Sequence, residues 1–145
     1  MVVSHSKFDA EVSRHRFHKE RDMNRMVHFE IQGDDPEALV SFYNDVFGWS
    51  INNWGGPQKY WLITTGPDNE PGINGAIMER HFRQQAIINT SSVEDLEATL
   101  KKIEASGGKK ISGPNEIPGV GLRAYCEDPE GNVFGILQPA PNMVS

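Results

Sequence analysis

A chain of 145 residues, 37% hydrophobic and 23% charged, is about one domain with enough apolar material to form a core, which excludes a disordered polymer. A net charge of -6 and a pI near 5.3 argue against nucleic acid or an anionic membrane as the main partner. The single cysteine, Cys126, excludes an internal disulfide or a cysteine-based metal cluster, and it suits a reducing compartment, expected to be the cytoplasm.

The first 25 residues carry six Lys/Arg against four Asp/Glu, with His5, His15 and His18 scattered among them. They lack the apolar stretch of a secretory signal, and no run in the chain approaches the roughly 20 apolar residues that span a bilayer. This segment is expected to be an arm, disordered or docked on a partner. Its histidines lack the tight spacing of a metal site.

Residues 26–32 alternate Val27, Phe29 and Ile31 with His28 and Glu30, the period of two of a strand with one apolar face. Asp35 then stands as a helix cap and Pro36 as a first helical residue. Leu39, Phe42, Tyr43, Val46 and Phe47 follow as one apolar stripe, and Gly48 closes the helix. Strands are expected over 49–53, 60–65 and 73–79, with the loop Asn53-Trp54-Gly55-Gly56-Pro57 between the first two. The order then repeats. Residues 86–90 read as a strand, and Ser91-Ser92-Val93-Glu94 has capping-box spacing. Leu96, Leu100 and Ile103 form a helical stripe ended by Gly107-Gly108, and strands are expected over 109–112, 122–126 and 132–138. Asp128-Pro129-Glu130-Gly131 marks a tight turn. Two βαβββ modules, residues 26–79 and 86–138, therefore form one α+β domain over residues 26–141, preceded by the arm of residues 1–25.

The phrases HFEIQGDDPEALVSFYNDVFGW and IPGVGLRAYCEDPEGNVFGILQP resemble the vicinal oxygen chelate superfamily, which includes glyoxalase I, bleomycin-resistance proteins and extradiol dioxygenases. The chain is most similar to its single-domain branch of enzymes related to lactoylglutathione lyase. The resemblance covers residues 26–138 and implies a curved eight-stranded mixed sheet with helices on its convex face. It also implies a site in the concave face and a homodimer. The metal enzymes of the family place a His or Gln, a Glu, a His and a Glu on the first and last strand of each module. Carried over, His28 takes the first position, and Glu79 is the one carboxylate near the second. Residues 86–88 offer no ligand for the third, and Gly135 takes the place of the last Glu. A catalytic divalent site needs about three protein ligands with one position open, so the full glyoxalase metal centre is not expected. His28 and Glu79 remain as weak metal candidates.

His28 and Glu30, two apart on one strand, point the same way. As a catalytic pair, Glu30 orients the ring and His28 accepts a proton. The plainer alternatives are a hydrogen-bonded polar pair on a wet sheet face, or Glu30 anchoring backbone or Arg123. Trp49, Trp54, Trp61 and Tyr125, with Tyr60, suit an apolar or flat ligand, the alternative being ordinary strand packing. Arg123 is a ligand-binding candidate that follows Leu122, where relatives carry their Arg, so its cation falls on the other face. Phe42 and Tyr43 read as core, and Cys126 as a small buried hydrophobe. The function expected is binding of a small apolar or aromatic molecule, as bleomycin-resistance members do. The alternatives are a metal-dependent lyase, isomerase or dioxygenase of glyoxalase type, or an interaction module using the arm. No nucleic acid or membrane partner is expected.

Overall fold

The computed structural model describes residues 23–141. The arm's histidines and most of its length lie outside the described residues, as do residues 142–145. Its last residues join the sheet: Asn24 N–H donates to Ser92 O at 2.5 Å, and Ser92 N–H donates to Arg25 O at 3.0 Å.

The elements run β1 (Met26–Gly33), α1 (Pro36–Phe47), β2 (Ser50–Asn53), β3 (Tyr60–Thr64), β4 (Asn74–Glu79), β5 (Ile87–Ser92), α2 (Leu96–Ala105), β6 (Lys109–Ile117), β7 (Gly121–Glu127) and β8 (Val133–Pro139). All eight strands form one mixed sheet in the order β2-β3-β4-β1-β5-β8-β7-β6. Each module pairs its first and last strands in parallel, β1 with β4 and β5 with β8. The modules meet at an antiparallel seam between β1 and β5. The α+β class and the doubled βαβββ order agree with the sequence reading.

Alternation along the strands divides the residues between two faces. Phe29 and Ile31 of β1, Ile63 and Trp61 of β3 and Ile77 of β4 pack with Leu39, Val40 and Tyr43 of α1. Ala124 and Cys126 of β7 and Ile136 of β8 pack with Leu96 and Leu100 of α2. Both helices therefore cover one face. On the other, Met78, Ile88, Tyr125 and Val133 form a second apolar cluster beside the polar residues of β1.

Each helix is capped by an aspartate. The Asp35 side chain accepts from Ala38 N–H, and Gly48 takes the left-handed C-terminal position at φ 71°. The second cap is Asp95, which accepts from Ala98 N–H, and the capping box expected at Ser91 does not form. Ser91 and Ser92 instead extend β5, because their backbone completes the seam and the parallel ladder to β8. A second departure lies on α1. Leu39 and Tyr43 face the sheet, but Phe42 is 55% exposed and Val46 and Phe47 are exposed too. The apolar stripe is wider than the surface the sheet offers it. Cys126 is buried in the α2 core, where burial pushes its thiol up to about 11.

Candidate functional site

Alternation on β1 sends His28, Glu30 and Gln32 to the face away from the helices. Gln32 is consumed structurally. Its side-chain oxygen accepts from the N–H groups of His81 and Phe82, and its amide donates to Phe82 O and Gln85 O, which ties down the β4–β5 connection.

Glu30 is fully buried, and its carboxylate gathers partners from both modules. Tyr60 of β3 donates to Oε2 and Tyr125 of β7 donates to Oε1, each at 2.6 Å. Arg123 Nη1 lies 3.4 Å from Oε2, with its guanidinium 4.6 Å above the Tyr125 ring. His28 Nε2 stands 3.8 Å from Oε2, beyond hydrogen-bond length, and 3.0 Å from the Tyr60 oxygen. Burial alone would push the Glu30 carboxyl up. The His28 ring, the Arg123 charge and the two tyrosine hydroxyls outweigh it and hold the group below its ordinary value. Burial and then the Glu30 charge push both tyrosines up, so they remain donors.

Two adjacent cavities open on this face and share Gln58, Tyr60 and Arg123. One, of about 260 Å³, has apolar walls of Val27, Trp54, Leu62, Ile117, Val120 and Leu137, with His28, Gln58, Tyr60, Thr90 and Arg123 as its polar part. The other, of about 320 Å³, reaches Met78, Tyr125, His81 and Glu79.

The expected site residues divide accordingly. His28, Trp54 and Arg123 line the first cavity, and Tyr125 lines the second. Trp54 is fixed by its indole N–H, which donates to Gln58 O at 3.0 Å, and by edge contact with Tyr60. Glu30 is too deep to touch a ligand. Trp49 and Trp61 belong to the opposite face: Trp49 stacks on Tyr43 of α1 at 5.4 Å and 5°, and Trp61 packs in the same cluster. The single-residue shift between Tyr60 and Trp61 sends them to opposite faces. Tyr60, named with the other aromatics, lines both cavities, whereas Leu62 and Thr90 are among the lining residues the sequence reading left out. Strand alternation from Trp61 and Ile63 marks the face of Tyr60 and Leu62, but its contact with Glu30 requires the register of β3, β4 and β1.

The donor set does not fit a glyoxalase-type divalent ion. Among the described residues no three His, Cys, Asp or Glu side chains are grouped to hold one. Glu79 is half exposed and faces Lys59 at 4.0 Å. Both oxygens of Glu30 accept tyrosine protons beside a guanidinium, an arrangement that repels a second cation. At Gly135, the position that the family resemblance assigns to the last carboxylate, a Cβ would fall 2.4 Å from Thr90 Oγ1, so Thr90 fills that space.

The Glyoxalase/Bleomycin resistance protein/Dioxygenase superfamily matches residues 25–136. The chain belongs to this superfamily. A Mycobacterium tuberculosis protein that carries a glyoxylase name is 31% identical over 119 residues, covering 77% of this chain and 43% of that one. A glyoxylase-like domain-containing protein of Didymella fabae is 28% identical, covering 74% of this chain and 88% of that one. The chain thus spans less than half the length of its mycobacterial relative. Among solved structures, methylmalonyl-CoA epimerase from Mycobacterium tuberculosis superposes with a TM-score of 0.60 at 14% identity, covering 81% of this chain and 89% of that chain. At that identity the likeness concerns the fold. No helix among the described residues is long and apolar enough to cross a membrane.

Proposed function

We propose that this superfamily member binds a small, largely apolar molecule in the 260 Å³ cavity, and that it does so without a divalent ion. The observation that carries the reading is the cavity itself, with six apolar walls around one polar edge, the usual make-up of a small-molecule site. The engaged state of Glu30 and the steric filling of Gly135 support independence from metal. The reading includes a homodimer, supported by the exposed apolar face of α1 at Phe42, Val46 and Phe47.

The uncharged dye N-phenyl-1-naphthylamine, which brightens in apolar surroundings, tests this directly. It is expected to bind the purified chain with chelator present. Leu62→Glu places a charge in the wall and is expected to weaken binding by about tenfold or more, since an unpaired charge opposes an apolar occupant. Leu62 is 48% exposed, so the substitution leaves the core intact. Dye that ignores the substitution, or a stoichiometric transition metal that vanishes in His28→Ala, overturns the reading. The latter result would favour a metal-dependent lyase of glyoxalase type.

A further inference from the structure

We propose that the molecule held in the 260 Å³ cavity is uncharged and carries a hydrogen-bonding head such as a hydroxyl, an inference that rests on the binding reading above. Among the described residues Arg123 is the only permanently charged side chain that lines this cavity, and it would ordinarily mark a site for a carboxylate. Here its charge is already matched. Its Nη1 lies 3.4 Å from a carboxylate that is 0% exposed, the Tyr125 ring covers one side of the guanidinium, and Nε, which has no hydrogen-bond partner among the described residues, is itself buried. The tyrosines that hold Glu30 are neutral donors, so the buried group of Glu30, Arg123, Tyr60 and Tyr125 carries no net charge. An anionic ligand would put a second negative charge beside Glu30 with one guanidinium between them. It would also lose its hydration on entering an apolar cavity. An uncharged ligand meets neither cost.

The polar edge indicates what an uncharged head would find. The Tyr60 hydroxyl has one proton, and the 2.6 Å contact commits it to Glu30. The 3.0 Å contact between Tyr60 and His28 therefore has Nε2 donating, which leaves Nδ1 as the unused ring nitrogen, with no partner among the described residues. Thr90 sits directly across the β1–β5 seam from His28, a pairing that brings side chains within about 5 Å. Thr90 is 2% exposed, and its hydroxyl has no hydrogen-bond partner among the described residues. A buried hydroxyl left unpaired is costly, and a ligand hydroxyl at this edge would offer both residues a partner.

Two ligands of one shape separate the outcomes: 1-naphthol, uncharged at neutral pH, and 1-naphthoate, ionised there. Calorimetric titration of the full chain is expected to give naphthol at least about tenfold tighter binding. Glu30→Gln keeps the size of the side chain and removes its charge, so it is expected to free Arg123 and raise naphthoate affinity about tenfold or more relative to naphthol. Arg123→Gln is expected to weaken naphthoate further while retaining naphthol. Naphthoate binding at least as tightly as naphthol to the wild-type chain overturns this inference and leaves the binding reading standing. Failure of both ligands, together with the naphthylamine dye, removes the binding reading and this inference with it. The wild-type comparison decides the matter even if neither variant folds.

Discussion

Glu30 is a charge taken out of water and kept ionised by four neighbours from three strands. An isolated carboxylate at such a depth would take up a proton rather than remain charged. The His28 ring, the Arg123 charge and the two tyrosine hydroxyls, which donate to separate oxygens, prevent that. The folded-state value of Glu30 lies below its ordinary one, so the stability it contributes is complete above the ordinary carboxylate range. It is lost as the pH falls through the depressed value. Tyr125→Phe keeps the ring beneath Arg123 and removes one donor. It is expected to cost about 1.5–3 kcal/mol at neutral pH and to move acid unfolding to higher pH, as followed by circular dichroism. An acid limb that stays where it is in the wild type would show that Oε1 does not depend on this hydroxyl. The sequence reading paired Glu30 with His28 as its orienter. The structure inserts the Tyr60 hydroxyl between them, a partner thirty residues away that no local pattern reveals.

At the scale of elements, the sequence was most legible where one periodicity met one surface. β1 is the clearest case: its alternation assigns Phe29 and Ile31 to the helices and His28 and Glu30 to the cavity. Trp49 and Trp61 were misplaced because an aromatic on a short strand carries no mark of its face until the neighbouring strand is known. Phe42 was read as core because the α1 stripe is apolar across more residues than the sheet covers. The start of α2 was misread for a different reason. Ser91 and Asp95 both suit a cap, and the ladder to β8 claims the serine. Asp95→Ala is therefore expected to destabilise the fold by about 1 kcal/mol, while Ser91→Ala leaves the helix cap untouched. Urea unfolding of the two variants checks this, and an equal or larger loss for the serine would return the cap to residue 91.

For the whole molecule, the doubled architecture was readable because each module repeats the same order of strand, capped helix and glycine. The site was less so, since it draws His28, Glu30 and Tyr60 from the first module and Thr90, Arg123 and Tyr125 from the second. The outer face of α1 belongs to this scale too. If a second copy covers it, light scattering on the full chain is expected to give twice the 16.2 kDa chain mass, and Phe42→Ser with Phe47→Ser to give the single mass. A wild-type chain that runs at the single mass removes the dimer from the reading.

The antiparallel seam between β1 and β5 bears on how the chain would respond to a molecule in the cavity. The carboxylate on one side of the seam and the guanidinium on the other meet at 3.4 Å only while the halves stay docked, and either one left buried without the other would be costly. The cavity lining draws on both halves, so a molecule bound there would strengthen the seam. Affinity for such a molecule and cohesion of the two halves would thus be one linked quantity.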